Sequence, residues 1–146
     1  MGIALKEKQL KREIKNIVKS VVENNIGSEI KDVLISGEER SNPKLPSINI
    51  MFYDSKVVEG KGLRTLFKVE VGLACFLKDI NIERGKVKAE DFVGTAADLI
   101  IDNLPKELPQ DVLKVEIEQS GEEAEIEIRN DTIIASAVVL SIYYFI

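Results

Sequence analysis

Three groups of residues have types and spacings that could support chemistry. The first is Cys75, the single thiol of the chain. A reactive thiol needs an electropositive, partly exposed site. Cys75 instead lies on an apolar stretch between Ala74 and Phe76, and no histidine exists to activate it, so it reads as core packing. The second group is Glu116, Glu118, Glu125 and Glu127. Paired carboxylates can do acid–base work or hold a hard cation. These four alternate with Val115, Ile117, Ile126 and Ile128, which makes them the wet face of an amphipathic sheet. The third is Glu59-Gly60-Lys61-Gly62-Leu63-Arg64-Thr65. A phosphate loop needs G-x-x-x-x-G-K-[ST] between a strand and a helix. Here Gly62 is followed by Leu63, and the segment runs into a strand. Lys56, Lys61, Arg64 and Lys68 could instead touch an acidic partner, as loops on a rigid scaffold often do.

The composition excludes several classes. Histidine is absent, which removes the commonest general base and metal ligand together. One cysteine forbids an internal disulfide and a multi-cysteine zinc site. No nucleophile–base pair and no metal-spaced ligand cluster stands out, so no catalytic residue, cofactor or metal is expected and an enzyme is disfavoured. A net charge of −5 gives no global reason to seek nucleic acid or an anionic membrane. The charge is lopsided, however. Residues 110–131 carry eight acids against two bases, while the opening segment carries Lys6, Lys8, Lys11, Arg12, Lys15 and Lys19 against Glu7, Glu13 and Glu23.

These residues need elements to position them, and the apolar pattern supplies them. Leu10, Ile14, Ile17, Val18, Val21 and Val22 mark one face of a helix over residues 4–25. A short strand is expected at 30–35, then a loop with Pro43 and Pro46, then a half-buried strand through Ile48, Ile50 and Phe52. Residues 54–63 read as a long mobile hairpin loop. The strongest strand spans 64–77, with a bulge expected near Gly72. Both of its faces turn apolar from Leu73 on, so its second half should be covered on both sides. Residues 79–88 read as a polar connection, followed by a helix over 89–104 that Pro105 and Pro109 stop. The last third predicts three strands. Two form an acidic hairpin over 113–129 turning at Ser120-Gly121, and the third is the apolar run 132–146. The expected order is α-β-β-β-α-β-β-β. The expected fold is a single α+β domain spanning 1–146, a largely antiparallel sheet with two main helices packed on it.

Targeting signals are weak. The opening MGIALKEKQLKREIK lacks an apolar core and a small-residue cleavage site. Its Met1-Gly2 start lacks the Ser or Thr that a myristoylation signal needs at position 6, where Lys6 stands. The run 132–146 has 15 residues, short of a bilayer span and without a basic flank. A lone cysteine fits a reducing compartment.

The layout as a whole resembles the tail-terminator, or tail-completion, proteins of long-tailed bacteriophages. The parts that carry the likeness are the amphipathic opening helix, LPSINIMFYD, a charged glycine-bearing loop, RTLFKVEVGLACFLKD, EDFVGTAADLIIDNLP, and an apolar closing strand. It covers most of the chain and rests on layout rather than on a diagnostic motif. The acidic segment 113–129 is an addition to that layout. The resemblance implies a structural protein of the virion tail, assembled in the host cytoplasm as a ring, commonly a hexamer. The ring caps the tail tube, stops its polymerisation and offers the head-joining surface. Its partners would be copies of itself, the tail-tube protein and a head-connector or stopper protein, with no sequence-specific nucleic acid and no membrane. In this frame Lys56, Lys61 and Arg64 belong to a tube-facing loop, and Lys11, Lys15 and Lys19 to a subunit interface. Glu116, Glu118, Glu125 and Glu127 supply its acidic counterpart or line the channel. Another neck or tail component and a non-viral protein-interaction domain are the alternatives.

Overall fold

The computed structural model describes residues 2–38, 43–60, 64–128 and 131–146, with side chains except at 119–128 and 131–132. Helix α1 runs Ile3–Asn25 and follows the apolar stripe: Leu10, Ile14, Val18 and Val22 are its buried residues. Each such side chain stabilises the fold by roughly 1.5–3 kcal/mol on burial. The strands are β1 (Asp32–Ile35), β2 (Ser47–Glu59), β3 (Leu66–Lys78), β4 (Val112–Ile128) and β5 (Asp131–Phe145), with helix α2 (Ile82–Glu107) between β3 and β4. They form one sheet in the order β1-β2-β3-β5-β4. Only β1 and β2 pair in parallel, and every other pairing is antiparallel. The fold is α+β, as expected.

Both helices pack on one face of the sheet. That face takes the odd residues of β3, from Phe67 to Leu77, and the even residues of β5, from Ile134 to Tyr144, all buried. At one end, the Tyr144 hydroxyl donates to the Glu7 carboxylate of α1 and lies 2.8 Å from the Ser55 hydroxyl. Burial and the Glu7 charge push this phenol above its ordinary range. The Tyr144 ring also stacks on Phe67, with centroids 5.8 Å apart. At the other end α2 comes so close that a Cβ on Gly85 would collide with Ile134. Cys75 is fully buried in this core, and burial pushes its thiol up to about 12.

Five expectations are corrected. Residues 79–88 are not a connection: α2 begins at Ile82, because the Asn81 side chain accepts a hydrogen bond from the Arg84 backbone and caps it. Nor does Pro105 stop α2, which continues to Glu107, since proline blocks an upstream bond but tolerates a last turn. Residues 54–59 are strand rather than loop, since β2 bulges between Phe52 and Ser55 and keeps pairing with β3. There is no bulge at Gly72, which pairs in register with Met51 and Val139; it lies under the Tyr53 ring, 3.4 Å from where a Cβ would sit. Finally, no hairpin turns at Ser120-Gly121. Residues 112–128 are one strand, which absorbs the extra residues in bulges at Ile117/Gln119 and Ser120/Glu122. The order is therefore α-β-β-β-α-β-β.

Candidate functional site

The sheet face away from the helices is the most unusual surface of the molecule. Antiparallel sheets with one wet face normally carry polar residues there. Here the centre of that face is small and apolar: Gly72, Ala74 and Phe76 on β3 lie beside Ala135, Ala137 and Val139 on β5. Met51 on β2 extends the patch and is 48% exposed. Neither helix covers it, although the apolar pattern predicts cover on both sides. Ser47 and Asn49, on the same face of β2, hold buried side-chain oxygens with no hydrogen-bond partner among the described residues.

Toward the end of the sheet where β3 begins, the same face becomes a charged cluster. Lys68 lies 3.1 Å from Glu118, which also accepts a hydrogen bond from the Ser141 hydroxyl at 2.6 Å. Ser141 and Lys68 together hold the Glu118 carboxyl below its usual range, and Glu118 in turn raises Lys68. Lys114 pairs with Glu116 at 3.5 Å and sits over the Tyr143 ring at 4.8 Å. These are knitted surface pairs, of a kind that adds little to stability.

The four acids expected to form one face do not form a continuous row. Glu116 lies opposite Ser141 on the uncovered face, while the register sets Glu125 and Glu127 opposite Ile134 and Thr132. Glu116 is even-numbered and Glu125 and Glu127 odd-numbered, so alternation along one continuous strand sets them apart, and the two bulges, one residue each, together leave that alternation unchanged. The side chains of Glu125 and Glu127 lie outside the described residues.

The expected interface lysines of α1 have partners inside the chain. Lys11 donates to the Tyr53 carbonyl at 2.8 Å, and burial lowers its pKa. Lys15 sits over the Phe52 ring at 5.6 Å. Lys19 pairs with Glu38 at 2.6 Å, which raises its pKa. Of the expected loop cations, Lys61 lies outside the described residues. Lys56 belongs to β2, opposite Lys68. Arg64 donates to the Gln110 carbonyl at 3.0 Å, lies 3.4 Å from Asp111 and stacks on Phe145, so it ties the start of β3 to the lead-in of β4. Beside Lys56, Val57 is 61% exposed and Val58 nearly as open.

Sequence reasoning missed a groove between α2 and the β4–β5 pair, rimmed by Glu90, Asp91 and Asp98. Its acids look like ordinary solvated helix positions until β4 is seen to pass alongside. No helix among the described residues is long and apolar enough to cross a membrane. No protein-family model matches this chain, and no curated protein matches it either.

Proposed function

We propose that this chain is a structural assembly protein of a phage or prophage tail, which caps the tail tube, stops its growth and presents the head-joining surface as a ring of identical subunits. The observation that carries this reading is the uncovered apolar sheet face. A two-layer domain that leaves Gly72, Ala74, Phe76, Ala137 and Val139 in a contiguous patch opposite its helices suits a protein that works while packed against other proteins. The exposed Val57 and Val58 beside Lys56, at the far end of β2, add a second apolar feature where the tube-facing loop is expected. The role involves no bond chemistry, no cofactor and no metal.

The test has two parts. Light scattering on a sizing column, across concentrations and at two salt levels, should find a ring-sized species near six chains. Added to a growing tail tube of the same phage, the protein should then fix tube length, as read by electron microscopy. Tubes that grow unchanged in its presence would overturn the reading.

A further inference from the structure

We infer that copies of this chain join head to tail, with the outer face of α1 from one copy seated in the groove between α2 and β4 of the next. The groove encloses about 640 Å³. Its floor is apolar: Val93 and Ala97 of α2 and Val138 of β5 lie beneath it, and Ile117 of β4, 50% exposed, walls it. Its rim carries Asp91 and Asp98, two helical turns apart, with Glu90 beside them, and no basic residue among the described residues lines it. None of these three carboxylates makes an ion pair within the chain among the described residues.

The occupant is argued from charge and from leftover apolar surface. Leu5, Lys8 and Arg12 recur at i, i+3 and i+7, so they share one face of α1. That face lies opposite the buried stripe of Leu10, Ile14 and Val18. Leu5 is 50% exposed, and Lys8 and Arg12 are exposed without an ion pair among the described residues. An apolar residue followed along one face by two unpaired cations thus answers an apolar floor rimmed by unpaired carboxylates.

The α1 of a chain cannot fill that chain's own groove. The start of α1 is held at Tyr144 through Glu7, whereas the groove opens over Ser136 and Val138 of the same strand. Six to eight strand residues separate them, about 20–26 Å at roughly 3.3 Å per residue. The contact is therefore between copies and joins two different patches. Such a heterologous contact propagates around a ring when its rotation closes. The inference deepens the ring-forming reading and rests on it for the statement that the assembly closes.

The test is a charge swap followed by sedimentation velocity. The K8E/R12E and D91K/D98K variants alter only exposed positions, and circular dichroism should find both folded. Each should weaken self-association by about tenfold or more, as two facing pairs become repulsive. Mixing the two variants, or combining all four changes in one chain, should restore assembly, because every contact is again acid against base. Assembly of either variant at wild-type strength, failure of the mixture to recover, or a wild-type chain that stays monomeric throughout would each overturn the contact. Tube capping separates this from the broader reading. Restored rings that leave tubes uncapped sink the reading but keep the contact, and K8E/R12E rings that form and cap normally do the reverse.

Discussion

At the scale of single residues, the helix–sheet contact is set at Gly85. An alanine in a helix interior is favoured over glycine by about 1 kcal/mol. Here the added methyl would collide with Cδ1 of the fully buried Ile134 and come to 3.0 Å of the Asp79 Cβ. Overpacking of this kind costs about 1–3 kcal/mol, so the packing term should win. Gly85→Ala is expected to lower stability by about 1 kcal/mol in urea melts, and a more stable variant would mean that α2 can lift from the sheet. The neighbouring Asp79 gives a pH signature. Its carboxylate accepts two bonds from Arg84, at 2.9 and 2.6 Å, and one from the Asn81 backbone at 2.9 Å. The Arg84 guanidinium, more than anything else, holds its pKa down to about 2, below the ordinary carboxylate value near 4. A depressed folded pKa stabilises the protein above the unfolded value, and the gain is lost as pH falls from about 4 toward 2. Asp79→Asn should flatten that part of the acid-unfolding profile. An unchanged profile would show that the pair is solvated away.

At the scale of elements, the cap of α2 carries the next prediction. Asn81 supplies the only side-chain hydrogen bond to a backbone N–H of the first turn of α2 among the described residues. Asn81→Ala should cost about 1 kcal/mol and raise hydrogen exchange at Ile82, Glu83 and Arg84 before that of the helix centre. Protection lost evenly along α2 would instead make the helix one unit with its cap. This cap also explains where the amino-acid pattern ran out. Both helices, the central strands and the α+β class follow from period: the stripe Leu10–Val22 and the alternation Phe67–Leu77 each bury the face they predict. The first turns of α2 have no apolar stripe, since Ile82 and Val87 remain exposed and Gly85 and Ala89 bury almost no side chain, so period could not find them. Strand β4 misled for a different reason. Ser120-Gly121 carries turn chemistry, but bulges absorb it while β5 continues to pair alongside. Those bulges and the acids also blunt an exposed 17-residue edge strand against pairing with another chain. The candidate site was only half visible. The apolar second face of β3 could be read from Gly72, Ala74 and Phe76, but that neither helix lies over it is a property of topology. The groove needs α2 and β4, which are adjacent only in the folded chain.

At the scale of the whole molecule, two surfaces ask to be covered, and they lie on opposite sides of the sheet. The α2–β4 groove belongs to the helical layer, whereas the patch around Val139 belongs to the other face. A subunit that uses the first for its neighbours keeps the second free for another protein, which is the division of labour a capping ring requires. Val139→Lys separates this arrangement from a sheet face that simply stays wet. In the isolated chain Val139 is only half-buried, across from Gly72, and a lysine there can lay its stem along the sheet and keep its ammonium in water. The melting temperature should therefore barely move, in line with the roughly 0.5 kcal/mol typical of surface changes. Against a docked partner the same ammonium would be trapped among Gly72, Ala74, Ala137 and Met51, and the carboxylates of the adjoining cluster, Glu70 and Glu118, already pair with Lys68. An unpaired buried charge costs several kcal/mol, enough to abolish a moderate association. Tube capping by Val139→Lys should fail while its ring, held by the helical-layer contact, still forms in sedimentation velocity. Capping at wild-type strength would place this face in solvent throughout assembly and remove the main support for the proposed role.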